Sequence, residues 1–121
     1  MIVEDYIGLL NLAQEVLQSY GYKVLDAENG EEALRVGKEY DGPIHLMVTD
    51  VVMPKMGGRE AAELLQPLYP QMKVIYMSGY TNNAIVHHGV LMPGLNFLEK
   101  PFTPEGLARK VREVLDRGIE D

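Results

Sequence analysis

Four short apolar runs in this 121-residue chain end on residues able to do chemistry. MIV stops at Glu4-Asp5, the run from Ile44 to Thr49 stops at Asp50, KVIYM stops at Ser78, and the run beginning at Asn96 stops at Lys100. If the runs are strands of one sheet, three carboxylates, a hydroxyl and an ammonium meet at one edge. Burying an unpaired carboxylate is costly, so Asp50 must either reach solvent at its strand end or have its charge compensated. Oxygen ligands without Cys or a clear His partner suit a hard cation, and one or two carboxylates with waters and a phosphoryl oxygen suit Mg²⁺. A dication offsets the mutual repulsion of clustered carboxylates. A carboxylate can also accept a phosphoryl group as an aspartyl phosphate. In that chemistry Lys100 would pair with a phosphoryl oxygen and Ser78 would donate a hydrogen bond. Pro54, Gly57 and Gly58 would shape the loop after Asp50, with a backbone carbonyl there as a further metal ligand.

The elements that must carry these residues follow from periodicity. Apolar positions at helical spacing run from Leu9 to Tyr20, with Gly21 as terminator. Lys23 to Ala27 reads as a strand, Asn29-Gly30 as a turn, and Glu31 to Tyr40 as a weaker helix. Ile44 to Thr49 is the near-continuous apolar strand that parallel sheets bury on both faces. A helix follows Gly57-Gly58 through Leu68, closed by Pro70, and Lys73 to Met77 is another buried strand. Residues 82 to 88 suggest a short helix, and Asn96 to Glu99 a last strand. Thr103-Pro104 begins the final helix as N-cap and first helical residue, and that helix runs to about Arg117. Strand and helix alternate five times, which predicts parallel strands with helices on both faces. Ligands then gather beyond the carboxyl ends of the strands. The first strand has only three residues before Glu4, which predicts a short one.

The length suits one domain, residues 1–121, and 46% hydrophobic against 24% charged residues is a globular composition. The net charge of -7 argues against nucleic acid and anionic membrane as partners. The absence of cysteine excludes disulfides and thiol chemistry. No apolar run reaches the roughly 20 residues of a membrane helix, and the start lacks the regions of a signal peptide, so a cytoplasmic location is expected.

Glu4-Asp5, TDVVMPKMGG, MSGY and the Lys-Pro-Phe of EKPF together resemble the response-regulator receiver domain of two-component signalling, in order and in spacing. That resemblance implies a flavodoxin-like (βα)5 three-layer sandwich with a five-stranded parallel sheet in 2-1-3-4-5 order. It implies that Asp50 is the phosphoacceptor, that Asp5 and Asp50 bind Mg²⁺ (Mn²⁺ as a substitute), that Val52 lends its backbone carbonyl, and that Glu4 holds the metal through water. Ser78 resembles the switch hydroxyl, Lys100 the phosphate-pairing lysine, and Phe97 the aromatic switch position, where many relatives have Tyr. Pro101 would aim Lys100. The implied partners are a histidine kinase, or the kinase core of its own chain, and a phosphotransfer protein. The domain would be a monomer or weak dimer. It would be no enzyme in isolation beyond assisting its own phosphorylation. The stretch from Ser78 to Lys100 resembles the C-terminal receiver of hybrid sensor kinases, which implies a fragment of a larger, membrane-attached parent.

Other readings are weaker. A phosphatase of the haloacid-dehalogenase type wants a second Asp two residues after the nucleophile, where this chain has Val52. A degenerate receiver serving only as a binding module need not keep Asp5, Asp50, Ser78 and Lys100 together. Taken singly, Asp50 reads as a turn residue and Lys100 as a surface lysine; their register argues otherwise. His87-His88 has no evident third ligand and reads as solvated. Met47, Met53 and Met77 read as core or loop filler, and Lys38, Arg59, Arg109, Lys110 and Arg112 as solvated helix faces.

Overall fold

The computed structural model describes residues 1–51, 56–78, 96–99 and 102–116. Five parallel strands lie in the order β2-β1-β3-β4-β5. They are β1 (Ile2–Val3), β2 (Asp26–Ala27), β3 (Leu46–Asp50), β4 (Lys73–Ser78) and β5 (Asn96–Glu99). Four helices are present among the described residues: α1 (Ile7–Ser19), α2 (Gly30–Glu39), α3 (Gly58–Leu65) and α4 (Pro104–Asp116). The expected short helix at residues 82 to 88, with His87 and His88, lies outside the described residues, as does Met53.

Each face of the sheet buries its own core. Ile2, Val48, Ile75 and Met77 pack with Leu10, Leu17, Leu107 and Val111 of α1 and α4. Val3 and Met47 pack on the other side with Ala33, Ala61, Ala62 and Leu65 of α2 and α3. Alternation along a strand sends neighbours to opposite faces, so Ile2 and Val3 of the two-residue strand β1 each serve a different core. Full burial of such side chains contributes about 1.5–3 kcal/mol apiece, which lets so short a strand hold both layers. Met47 and Met77 are buried core residues, as expected.

The helix ends have local causes. Gly21 adopts φ 93° after α1, a left-handed conformation that glycine takes without steric cost. Asn29 is the N-cap of α2 rather than a turn residue, its side chain accepting the Glu32 N–H at 2.9 Å. Thr103 accepts the Gly106 N–H at 2.9 Å and caps α4 as expected. α3 stops at Leu65, short of the expected Leu68. Pro67 explains this: Gln66 still keeps helical angles, φ -55° and ψ -43°, but Pro67 lacks an N–H and its ring crowds the preceding turn. Arg59–Glu63, Lys110–Glu113 and Arg112–Asp116 are surface pairs one helical turn apart, the solvated faces that the charge pattern implies.

β2 covers only the last two residues of the expected Lys23–Ala27 strand, and β3 begins at Leu46 rather than Ile44. The Ile2 N–H donates to Leu25 C=O at 2.8 Å and the Met1 amine to Leu46 C=O at 2.8 Å, so β1 meets its two neighbours level with the observed starts of β2 and β3.

Candidate functional site

The site is built at the carboxyl ends of β1 and β3, where the strand order reverses direction. Glu4 extends the ladder past β1, its N–H donating to Ala27 C=O at 3.0 Å. Its side chain is buried, 1% exposed, and one carboxylate oxygen accepts the Tyr6 N–H at 3.0 Å. Tyr6 is the N-cap of α1 and has no side-chain cap bond of its own. Glu4 therefore satisfies one of the donors that a helix start leaves open, and its charge sits at the positive end of the helix dipole. Asp5 follows in the bend before the helix and is exposed.

Asp50 closes β3 and is 6% exposed. Carboxylate oxygens of Glu4, Asp5 and Asp50 all lie within 4.8 Å of one another, two of the three residues being buried. The question of why an apolar strand ends on a carboxylate thus has a spatial answer: Asp50 meets the two acids that end β1. Three carboxylates at this separation repel one another, and a hard divalent cation among them offsets that repulsion. The oxygen-only donor set, with one acid open to solvent, fits Mg²⁺ and leaves room for water and a phosphoryl oxygen.

The backbone around Asp50 is clasped. The Val51 N–H donates to Met77 C=O at 3.0 Å, and the Gly58 N–H to Val51 C=O at 3.3 Å. The Gly30 N–H, at the start of α2, donates to Met56 C=O at 3.1 Å, so Val51 and Met56 are each held by backbone bonds. Gly57 is the N-cap of α3, with φ -75°. A Cβ at Gly57 would meet Val51 C=O at 3.0 Å. The tighter position is Gly58, where a Cβ would overlap the Asp50 carbonyl oxygen and crowd the Thr49 side chain. Thr49 is fully buried and its hydroxyl donates to Asp50 C=O at 3.1 Å. Sequence reasoning gave Gly58 no role distinct from Gly57 and missed Thr49. The Gly-Gly pair was the available signal for the first, and nothing marked Thr49 beyond its place beside Asp50.

Phe97 lies opposite Tyr76 in the β4–β5 register, their ring centroids 6.1 Å apart and tilted by 39°. Tyr76 is buried with Val51, next to Asp50, and Phe97 packs on that pair from the edge strand. Burial pushes the Tyr76 phenol up from its ordinary value of 10.0; Arg59 opposes that shift and Glu63 adds to it. Tyr76 is thus a second aromatic at the expected switch position, and it was not singled out from sequence. Ser78 closes β4, level with Glu99 on β5. Val52, Pro54, Lys100 and Pro101 lie outside the described residues.

The receiver domain model of response regulators matches residues 1–112. Sensor kinase CckA of Brucella abortus is 36% identical over 117 residues, 97% of this chain and 12% of the relative. Chemotaxis protein CheY of Thermotoga maritima is 29% identical over 94% of each chain. The transcriptional regulatory protein YvrH of Bacillus subtilis is 31% identical, and the chain spans 48% of it. Among solved structures, the receiver domain of the hybrid histidine kinase CckA superposes with a TM-score of 0.79 at 32% identity, covering 94% of this chain and 95% of that one. A CheY-like receiver domain from Methanospirillum hungatei gives 0.79 at 28% identity, covering 98% and 94%. The chain therefore spans about an eighth of one curated relative and about half of another. Among the described residues, no helix is long and apolar enough to cross a membrane.

Proposed function

The chain belongs to the response regulator receiver family of two-component signalling, and from that premise we propose that Asp50 accepts a phosphoryl group from a phosphohistidine. The observation that carries the proposal is the convergence of Glu4, Asp5 and Asp50 at the ends of β1 and β3. A carboxylate oxygen of Asp50 attacks phosphorus, the N–P bond of the phosphohistidine breaks, and the imidazole leaves, taking a proton from solvent. Asp5, Asp50 and the Val52 backbone carbonyl would hold a Mg²⁺ ion, which when bound would supply charge neutralisation on the transferred group. Glu4, anchored by the Tyr6 N–H, would reach that ion through water. Lys100, which Pro101 would aim, would pair with a phosphoryl oxygen, and Pro54 and Gly57 would shape the loop after Asp50.

The phosphoryl group then biases two conformations of the domain unequally, as a population shift requires. Ser78 moves toward the phosphate and Phe97 follows into the vacated space. In this reading residues 1–121 form a receiver domain cut from a larger hybrid sensor kinase, cytoplasmic and without an enzymatic activity of its own beyond assisting transfer. The donor is a histidine kinase, the parent's own kinase core included, and a phosphotransfer protein is the acceptor downstream.

The test is phosphorylation by acetyl phosphate with and without Mg²⁺, followed by intact mass. A single Mg²⁺-dependent adduct on the wild type, absent from Asp50→Asn, is expected. An equally labelled Asp50→Asn chain would overturn the assignment.

A further inference from the structure

The turn from β2 into α2 touches both halves of the acidic cluster through the backbone. Ala27 C=O accepts the Glu4 N–H at 3.0 Å, and three residues later the Gly30 N–H donates to Met56 C=O at 3.1 Å. That N–H is the first of α2, a donor with no partner inside its own helix, so a carbonyl from the segment after Asp50 caps the helix. From Met56 the chain passes directly into Gly57 and Gly58. There the Gly58 N–H donates to Val51 C=O, and the glycine lies against the Asp50 carbonyl. Met56 thus links the start of α2 to the backbone of Asp50.

The link requires a residue without a side chain at position 30. Gly30 is buried, and a Cβ there would lie 2.6 Å from the Met56 carbonyl oxygen, 2.7 Å from its Cγ and 2.8 Å from its Cβ. The oxygen belongs to the backbone and the Cβ is bonded to it, so no change of rotamer clears them. The start of α2 is held against retreat. Asn29 accepts the Glu32 N–H at 2.9 Å, Glu32 accepts the Glu28 N–H at 3.1 Å, and Ala27 is bonded to Glu4. Any added atom at Gly30 therefore displaces Met56, and Gly58 with it. We propose that Gly30 is a positioning residue for phosphoryl transfer: by admitting Met56 onto the start of α2 it seats the Met56–Gly58 segment against Asp50 and fixes Asp50 relative to Glu4. The role rests on the reading of Asp50 as phosphoacceptor.

The experiment compares the wild type with Gly30→Ala, Met56→Gly, their double variant and Gly37→Ala. Gly37 is buried two turns further along α2, where an added Cβ meets the tip of the Leu65 side chain. Amide exchange at Gly58 is read against Ile75 without Mg²⁺ or phosphodonor, and acetyl phosphate labelling with Mg²⁺ at matched folded fraction. Gly30→Ala is expected to speed Gly58 exchange about tenfold or more beyond any change at Ile75, and to slow labelling about tenfold or more. Gly37→Ala should do neither. Met56→Gly takes two of the three atoms out of the overlap, so the double variant should label at the rate of Met56→Gly alone. If Gly30→Ala does not fold, recovery of the fold in the double variant supports the link and its absence overturns it. Unchanged Gly58 exchange in a folded Gly30→Ala chain, unchanged labelling, or equal slowing by Gly37→Ala overturns the positioning role alone. A wild type that takes no phosphoryl group overturns the phosphoacceptor reading, and this role with it.

Discussion

The Glu4 carboxylate, buried beside Asp50, accepts the backbone N–H of Tyr6 at 3.0 Å, so one side chain both caps helix α1 and completes the acidic cluster. The two roles separate under mutation. Glu4→Ala should cost about 1 kcal/mol of stability through the lost cap. Glu4→Gln keeps an acceptor for Tyr6 and should cost less. If Glu4 orients the ion's water, both variants should raise the Mg²⁺ concentration for half-maximal phosphorylation about tenfold or more. Urea unfolding and a Mg²⁺ titration of acetyl phosphate labelling measure the two effects separately.

Gly58 packs against the Asp50 carbonyl. Gly58→Ala should destabilise the domain by about 1–3 kcal/mol, because backbone rather than a pliable side chain must move. Gly57→Ala, which meets Val51 C=O at 3.0 Å, should cost less. The loss of phosphorylation in Gly58→Ala should exceed its fraction unfolded, since the displaced segment carries Asp50, the proposed phosphoacceptor. Urea midpoints and labelling at matched folded fraction test this.

Burial lowers the Met1 amino group from 8.0 to about 5 in the folded chain. Between those values the unfolded chain binds more protons than the folded one, so stability rises with pH across that window and is lost as pH falls through about 5. Acetylating the amino terminus should flatten that part of the pH profile, as thermal unfolding from pH 5 to 8 would show. An unchanged slope would place its origin in other groups.

For Tyr76 the sign is opposite. Its phenol is raised by burial from 10.0, with Arg59 opposing and Glu63 reinforcing. The unfolded chain therefore ionises first, and stability present below pH 10 is lost as pH rises beyond it. Tyr76→Phe should blunt alkaline unfolding while changing stability at neutral pH little. Tyr76→Ala should cost about 3–5 kcal/mol at neutral pH, removing the partner against which Phe97 packs. Spectroscopic titration of the phenol, compared between wild type and Tyr76→Phe, gives an independent reading.

Parallel strands with helices on both faces, and the meeting of Glu4, Asp5 and Asp50, were legible because alternating apolar runs and helices constrain topology tightly; the strand order was implied by the resemblance to receiver domains. The residues that end the runs were therefore legible as neighbours. What the sequence hid depended on a partner elsewhere in the chain. Lys23–Leu25 has the composition of a strand, yet β2 itself covers only Asp26–Ala27, since composition does not say which residues find a partner in a ladder. Pro67 was a local stop signal, passed over in favour of Pro70 because the leucines kept helical spacing through Leu68. Gly58 differs from Gly57 only through its distance to the Asp50 carbonyl, and Tyr76 reads as an ordinary core aromatic until β5 is laid beside it. Glu4's cap on α1 was hidden because the helix begins at Ile7, two residues before the first apolar position in the pattern.

The two residues of β1 also act as a proofreading device. Ile2 fills one core and Val3 the other, and Glu4 comes next, beside Asp50. A slip of one residue turns each side chain to the wrong face, exchanging the contents of both cores and carrying Glu4 away from the other two acids. No misregistered form can keep its hydrophobic packing and lose only the acidic cluster, or the reverse. A molecule that passes as folded has, by the same threading, assembled its three carboxylates.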